Sequence, residues 1–195
     1  YAGPKAPVGR VRGDRLVERA RLAERYGRGE LRLTPSQNVL IPHIPDALLG
    51  ELTREPLLRE LPYNPSEIQR GLVSCTGTDF CNLALIDTKT RALALAHEFE
   101  SRIEASRPLT VRWSGCPASC GNHHTADVGL QGCKVKVNGK IVDGVHVFVG
   151  GRGGLEPRAG EKVFADVPCD DLPEVLDRLI RFFPRGDRKK EEEEA

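Results

Sequence analysis

The chain has 195 residues, 39% of them hydrophobic, and a formal net charge of +1. That is apolar material for one substantial core or two small ones, and so even a charge excludes recognition of nucleic acid or another polyanion by bulk electrostatics. No apolar run approaches the roughly 18 residues of a transmembrane helix, and the opening Tyr1–Lys5 has no apolar signal core.

The chain contains no methionine, so its start is expected to be a cut or processed boundary. Ala6–Arg12 reads as a short strand. Asp14 is placed to cap a helix running to about Gly27, with Leu16, Ala20, Ala23 and Tyr26 near one face. Glu30–Thr34 and Asn38–Ile41 are apolar runs joined by a turn at Pro35–Gln37. A short helix is predicted from Asp46, resumed at Leu57–Leu61 after the break at Pro56. This order predicts an α+β unit over residues 1–62, with helices against one sheet face. Pro62–Ser66 reads as a linker.

A second unit is predicted over residues 63–184. Leu72–Ser74 leads as a strand into Cys75-Thr-Gly-Thr-Asp-Phe-Cys81. A helix is predicted from about Leu83 to Ile103, with Ala92, Ala96, Phe99 and Ile103 on one stripe. Leu109–Trp113 is another strand, followed by Cys116-Pro-Ala-Ser-Cys120-Gly-Asn-His-His124. Strand, helix, strand with cysteines just past both strands places four thiols at one edge of a sheet, the usual side for ligands in α/β architecture. Asp127–Phe148 reads as a hairpin with a type I′ turn at Asn138-Gly139. The glycine-rich Gly150–Gly154 is either a chain reversal or a backbone cradle for an anionic group, without the spacing of a nucleotide loop. Val163–Val167 is a last strand. Asp171 caps a closing helix with Leu172, Val175, Leu176, Leu179 and Phe183 as its buried stripe. Residues 185–195, rich in Lys and Glu, read as a solvated tail.

Six cysteines could form disulfides, but a long chain with a core and no signal peptide argues against them. Zinc is the stronger rival for four thiolates, although the five residues between Cys75 and Cys81 fit a zinc knuckle poorly. A cubane iron–sulfur cluster wants four soft sulfur ligands on loops that bend closely around it, and both cysteine pairs sit beside glycines. Cys133 and Cys169 have no close partner in sequence and read as small buried hydrophobes.

The Cys75-x5-Cys81 pair and Cys116-Pro-Ala-Ser-Cys120-Gly, with Leu31-Arg-Leu-Thr-Pro-Ser-Gln-Asn38 upstream and Val147-Phe-Val-Gly-Gly-Arg152 downstream, resemble the assimilatory nitrite and sulfite reductases. The segment Ser74–Lys89 looks like the ferredoxin-dependent nitrite reductases more than the sulfite reductases. The resemblance implies a ferredoxin-like half-domain followed by a sirohaem and iron–sulfur α/β domain with a β-hairpin extension. It implies that Cys75, Cys81, Cys116 and Cys120 hold a [4Fe–4S] cluster and that Cys120 also bridges to the sirohaem iron as its axial ligand. Reducing nitrite to ammonia takes six electrons, which a ferredoxin delivers singly; a shared thiolate gives the needed electronic contact between relay and haem-type iron.

The chain resembles only the second half of such enzymes. The side chains that hold the anionic substrate come mainly from the first half, so no catalytic residue is nominated, and a completing N-terminal half or partner chain is expected. Lys89, Arg91 and Arg152 are candidates for the sirohaem carboxylates, against a reading as solvated surface charge. His123 and His124 stand where relatives carry a non-basic pair: they are proton donors or, more simply, a supporting or surface pair. Ser-Gly-Cys-Pro-Ala also replaces the more familiar Thr-Gly-Cys-Pro-Asn, a change that should spare ligation. Eight Lys or Arg against three acids in the first 28 residues suggest a dock for an acidic ferredoxin, or simply the wet face of an amphipathic helix. The expected activity is nitrite reduction in nitrate assimilation. The alternatives are sulfite reduction, a cluster-only electron-transfer subunit, a zinc-stabilised module, and a cobalamin-pathway oxygenase of the same superfamily. Without a signal peptide, and with thiolate ligands, the cytoplasm is the default compartment, and neither membrane nor nucleic acid is an expected partner.

Overall fold

A computed structural model describes residues 1–102 and 109–180. The first helix, α1 (Gly13–Tyr26), carries Asp14 in its first turn and Arg25 in its last, each opposing the end charge of the helix dipole. Its buried face is Arg19, Leu22, Ala23 and Tyr26; Leu16 is exposed instead of joining it. Arg19 replaces it inside, where its guanidinium finds the carbonyl oxygens of Lys5 and Arg15, each at 3.3 Å.

The strand expected at Ala6–Arg12 is absent. Pro7–Gly9 forms a 3₁₀ turn, with Pro7 unable to donate to a ladder and Val8 at a φ of 45°. Burial holds this uncommon conformation, because Val8 is fully enclosed in the larger apolar core. The pairing role falls to Ala2, which bridges Ile41. The short antiparallel pair β1 (Arg32–Leu33) and β2 (Val39–Leu40) is where the two apolar runs were read. Helices α2 (Asp46–Leu52) and α3 (Pro56–Glu60) follow, and Leu52, Leu57 and Leu58 join Leu22, Ala23, Tyr26 and Ile41 in a small core. An additional helix, α4 (Glu67–Gly71), follows the Pro62–Ser66 segment, with Ser66 accepting the Gln69 amide at 3.2 Å as its cap.

The second sheet has the order β3-β4-β5-β6-β7. β3 (Leu72–Ser74), β4 (Val111–Ser114) and the start of β5 (Val128–Val137) are parallel, whereas β5, β6 (Lys140–Val149) and β7 (Glu161–Pro168) are antiparallel. Asn138 and Gly139, with φ of 50° and 82°, make the two-residue turn between β5 and β6, as both central residues of a type I′ turn must.

Helix α5 (Lys89–Arg102) starts later than expected, because Cys81–Thr88 are spent in turns around the cysteine loop. Ala92, Ala96 and Phe99 do face the core, with Trp113, Val128, Leu130, Val145 and Val147 from the sheet. Helix α6 (Leu172–Ile180) closes the same core through Leu172 and Leu176, with Val175 and Leu179 packed against it. Ile103, Phe183 and the tail 185–195 lie outside the described residues.

Candidate functional site

The parallel register Leu72↔Val111 through Ser74↔Trp113 brings the ends of β3 and β4 level. Cys75 and Cys81 leave one strand, Cys116 and Cys120 the other, so the two loops emerge side by side at the carboxyl edge of the sheet. They are interlocked by backbone. The Cys75 amide donates to Trp113 O at 3.0 Å, Leu85 N to Gly115 O at 2.8 Å, and Gly115 N to the Cys75 sulfur at 3.1 Å. None of the four cysteines is in a disulfide. Cys75, Cys81 and Cys116 are half-buried and Cys120 is exposed.

The donor set fits an iron–sulfur cluster: four soft sulfurs on two tight loops, one of them already receiving a backbone N–H of the kind that stabilises thiolate charge. The second loop can be tight because Gly121 has no side chain. A Cβ there would lie 1.9 Å from Trp113 O.

Residues outside the four nominated cysteines brace these loops, in roles the sequence does not spell out except for His123, read there as one of a supporting pair. Ser114, at the end of β4, receives the Gly121 amide at 3.1 Å and bonds His123 Nδ1 at 2.9 Å. Ser119, between the two loop cysteines, reaches the same nitrogen at 3.2 Å. Thr88 donates to Cys75 O at 2.7 Å. Gln37, 37 positions upstream, clasps the backbone of Ser74: Nε2 donates to its carbonyl at 2.7 Å and Oε1 accepts its amide at 3.1 Å. Ser114, Ser119, Thr88 and Gln37 all lie in segments that carry the family resemblance, but only His123, just after Cys120, suggests a role of its own from the sequence.

His123 is fully buried and His124 exposed, their rings 3.9 Å apart. Burial lowers the His123 pKa to about 4, helped by His124 and His146, while the Gln131 side chain beside it pulls the other way. His123 is therefore neutral near pH 7 and acts as a fixed hydrogen-bonding post for Ser114 and Ser119.

The three candidate cations are engaged within the chain. Lys89 Nζ bonds the carbonyls of Val8 and Ser74, and burial, with Arg10 second, lowers its pKa. Arg91 pairs with Asp143 at 3.0 Å and Arg152 with Glu156 at 3.2 Å. Six of the eight cations of the basic N-terminal segment are engaged in the same way, and Arg21 and Arg28 are exposed. Lys5 and Arg19 are buried, Arg10 pairs with Asp79, Arg12 with Asp14, Arg15 with Glu18 and Glu60, and Arg25 with Glu51 and Glu55. The glycine-rich segment makes a chain reversal: Arg152 and Arg158 exchange backbone bonds of 2.8 and 2.9 Å and the Gly150 amide donates to Asp127 O at 3.1 Å, so the Gly150 and Arg152 amides are taken within the chain. Cys133 and Cys169 are buried, as expected, and burial pushes the Cys169 thiol up to about 11.

An edge of parallel sheet bearing two interlocked cysteine loops defines the class. Residues 68–194 match the nitrite and sulphite reductase 4Fe-4S domain and residues 1–58 the nitrite/sulfite reductase ferredoxin-like half domain. The chain belongs to the nitrite and sulphite reductase family. It is 48% identical over 180 residues to the ferredoxin–nitrite reductase of Synechococcus elongatus, covering 92% of this chain and 35% of that protein. It is 46% identical over 198 residues to the chloroplastic ferredoxin–nitrite reductase of Zea mays, covering 100% of this chain and again 35% of that protein. The solved structure of the Mycobacterium tuberculosis NirA protein superposes with a TM-score of 0.86 at 36% identity, over 95% of this chain and 36% of that one. The crystal structure of a dissimilatory sulfite reductase I shares the fold, with a TM-score of 0.70 at 12% identity, over 93% of this chain and 62% of that one. The chain thus spans about a third of the length of the nitrite reductases it matches. No described helix is long and apolar enough to cross a membrane.

Proposed function

We propose that this chain is the cofactor-bearing C-terminal part of a ferredoxin-dependent nitrite reductase, which reduces nitrite to ammonia with six electrons from a low-potential donor. Cys75, Cys81, Cys116 and Cys120 are the proposed ligands of a [4Fe–4S] cluster, and Cys120 also the axial ligand of a sirohaem iron. The observation that carries this reading is the placement of both cysteine pairs at the carboxyl ends of two neighbouring parallel strands, with loops locked to each other by backbone bonds. The cofactors supply one-electron storage and a metal that takes nitrite; the chain's own part is to fix the sulfurs. Ser114 and neutral His123 hold the second loop, while Thr88, Gln37 and the Gly115 amide hold the first.

Cys120 is the exposed cysteine of the four, which suits a thiolate that must be shared with a second metal outside the cage. Phe80 and Leu83, 88% and 74% exposed, offer apolar surface beside Cys81. An apolar rim around a cofactor edge is what a completing polypeptide or a macrocycle would cover. We divide the chain into a ferredoxin-like half-domain (1–62), the cofactor domain (63–184) and a tail (185–195). Sulfite reduction is the alternative activity, and the cytoplasm is the compartment we expect.

The test is an anaerobic visible spectrum with iron and sulfide counts on the purified chain, then on the chain with its N-terminal completion. About four irons and four sulfides per chain are expected, falling in Cys75→Ser, Cys81→Ser and Cys116→Ser. Cys120→Ser should also abolish sirohaem bands. With a viologen donor, the completed enzyme should consume nitrite faster than sulfite. Zinc in place of iron after anaerobic reconstitution would overturn the reading.

A further inference from the structure

Away from the cysteine loops, three metal-binding side chains converge on the outer half of the antiparallel sheet. Cys133 lies in β5, His146 in β6 and Asp166 in β7, and their ligand atoms all lie within 4.8 Å of one another. The sheet register explains the meeting. Cys133 pairs with Gly144 and Gln131 with His146, so Cys133 and His146 are diagonal neighbours on one face. Gly144, directly opposite Cys133, has no side chain because a Cβ there would lie 2.3 Å from the Val135 side chain.

Asp166 arrives by a bulge. β6 and β7 pair at Val145↔Val167 and Val147↔Phe164, with a register shift between, so Ala165 and Asp166 together oppose His146. Asp166 adopts a φ of 55°, uncommon for a residue with a Cβ and found inside a strand. Bulges of this kind re-aim a side chain, and here the carboxylate is turned back across β6.

The three side chains converge with only long contacts between their ligand atoms. Asp166 Oδ1 is 3.8 Å from His146 Nδ1 and 4.0 Å from Cys133 Sγ, too long for good hydrogen bonds. The Asp166 backbone N–H donates to His146 Nδ1 at 3.2 Å, so that nitrogen is unprotonated and its lone pair is held by this amide, a bond that a metal taken there would displace. Two ligands on a tetrahedral zinc, at 2.0 to 2.3 Å from the metal, lie roughly 3.3 to 3.7 Å apart. The two spacings to Asp166 therefore need to shorten by about half an ångström to fit a coordination shell, and the Cys133–His146 spacing lies within 4.8 Å.

We propose that Cys133, His146 and Asp166 form a second metal site, for a zinc-type divalent cation, that clips the edge strand β7 to β5 and β6. The sulfur and imidazole donors select a borderline-soft metal over Mg²⁺ or Ca²⁺. One thiolate and one carboxylate neutralise its double charge, and the Cys133 proton leaves to solvent when the sulfur–metal bond forms. Asp166 is two-thirds exposed, so a water completes the fourth position. The proposal does not depend on the iron–sulfur reading.

The test is a Zn²⁺ titration of the anaerobic chain against a chromogenic chelator, in the wild type and in Cys133→Ser, His146→Gln and Asp166→Asn. All four proteins keep Cys75, Cys81, Cys116 and Cys120, so metal taken there is common to all and cancels in the comparison. The wild type should bind one zinc that each variant binds more weakly by well over about tenfold, since even the loss of an outer partner of a ligand costs that much. Zinc should also raise the Tm of the wild type and not that of His146→Gln. Should Cys133→Ser fail to fold, the two variants at less buried positions decide the matter. Equal zinc stoichiometry, affinity and Tm response across the wild type and the folded variants would overturn the site.

Discussion

Replacing Gln37 tests whether the first unit holds the cysteine site. β3 is the outermost strand of its sheet, so Ser74 has β4 on one side and, without help, bare N–H and C=O groups on the other. The Gln37 carboxamide fills that side as a neighbouring strand would, with bonds of 2.7 and 3.1 Å one residue before Cys75. Each bond is worth about 1 kcal/mol net, and each half-buried group left unpaired costs about 1–3 kcal/mol. Lys89 Nζ, 3.4 Å from Ser74 O, softens the loss at the carbonyl. Gln37→Ala should therefore destabilise the chain by roughly 2–4 kcal/mol. Gln37 also sits at a φ of 59°, so Gln37→Gly, which loses the same bonds and relieves the backbone, should be less damaging by about 0.5–1 kcal/mol. Urea unfolding followed by fluorescence reads this directly, because the one tryptophan, Trp113, is buried in β4 beside the site. In the reconstituted protein, air bleaching of the cluster should quicken in step. A Gln37→Ala chain within about 0.5 kcal/mol of wild type, the range of an ordinary surface change, refutes the reasoning.

Gly121→Ala puts a Cβ 1.9 Å from Trp113 O and should cost more than about 4 kcal/mol or prevent folding, whereas Gly13→Ala, with nothing within 4 Å, should gain up to about 1 kcal/mol; thermal melts separate the two. Lys5 is buried, and burial, followed by Arg70, lowers its pKa from 10.5 to about 8. The folded chain then binds fewer protons than the unfolded chain between these values, so stability should rise as pH goes from 8 to 10.5, by on the order of 3 kcal/mol at most. Lys5→Met should remove that slope in urea titrations across the window, and an unchanged slope would assign it elsewhere. Arg91→Gln breaks the 3.0 Å pair with Asp143 and should cost roughly 1 kcal/mol while leaving iron and sirohaem content unchanged; a selective loss of sirohaem would return Arg91 to cofactor binding.

The sequence announced what repeats locally and hid what depends on distant contacts. Alternation and the Asn138-Gly139 turn gave the β5–β6 hairpin, and the stripe Ala92, Ala96, Phe99 gave α5, because both are written at short range. The start of α5 was misread because Leu83–Asp87 has helical composition but is drawn into turns by Leu85 bonding Gly115 across the loops. Ala6–Arg12 looked like a strand, yet burial of Val8 bends it. Four cysteines flanked by glycines made the candidate site legible. Its supports were legible only as members of the segments that carry the resemblance, since no local spacing gives a glutamine at position 37 or a serine at 114 its role, and the Cys133–His146–Asp166 corner depends on a strand bulge that no local pattern marks.

The basic N-terminal segment shows how placement decides the meaning of a charge. Read along the chain, its excess of cations suggests an outward patch; read in space, Arg10 reaches Asp79 inside the first cysteine loop, and Val8 gives its carbonyl to Lys89 at the start of α5. Gln37 holds Ser74 from the same unit. Residues 8 to 37 thus grip the segment 74–79 from outside the sheet, and Cys75 lies within that grip. A cage for a metal cluster must hold its sulfurs at fixed separations while nothing but the metal spans them. The β3–β4 register fixes one side of that separation. The first unit, pressing on the loop from its free edge, fixes the other, so damage to either unit should loosen the same four sulfurs.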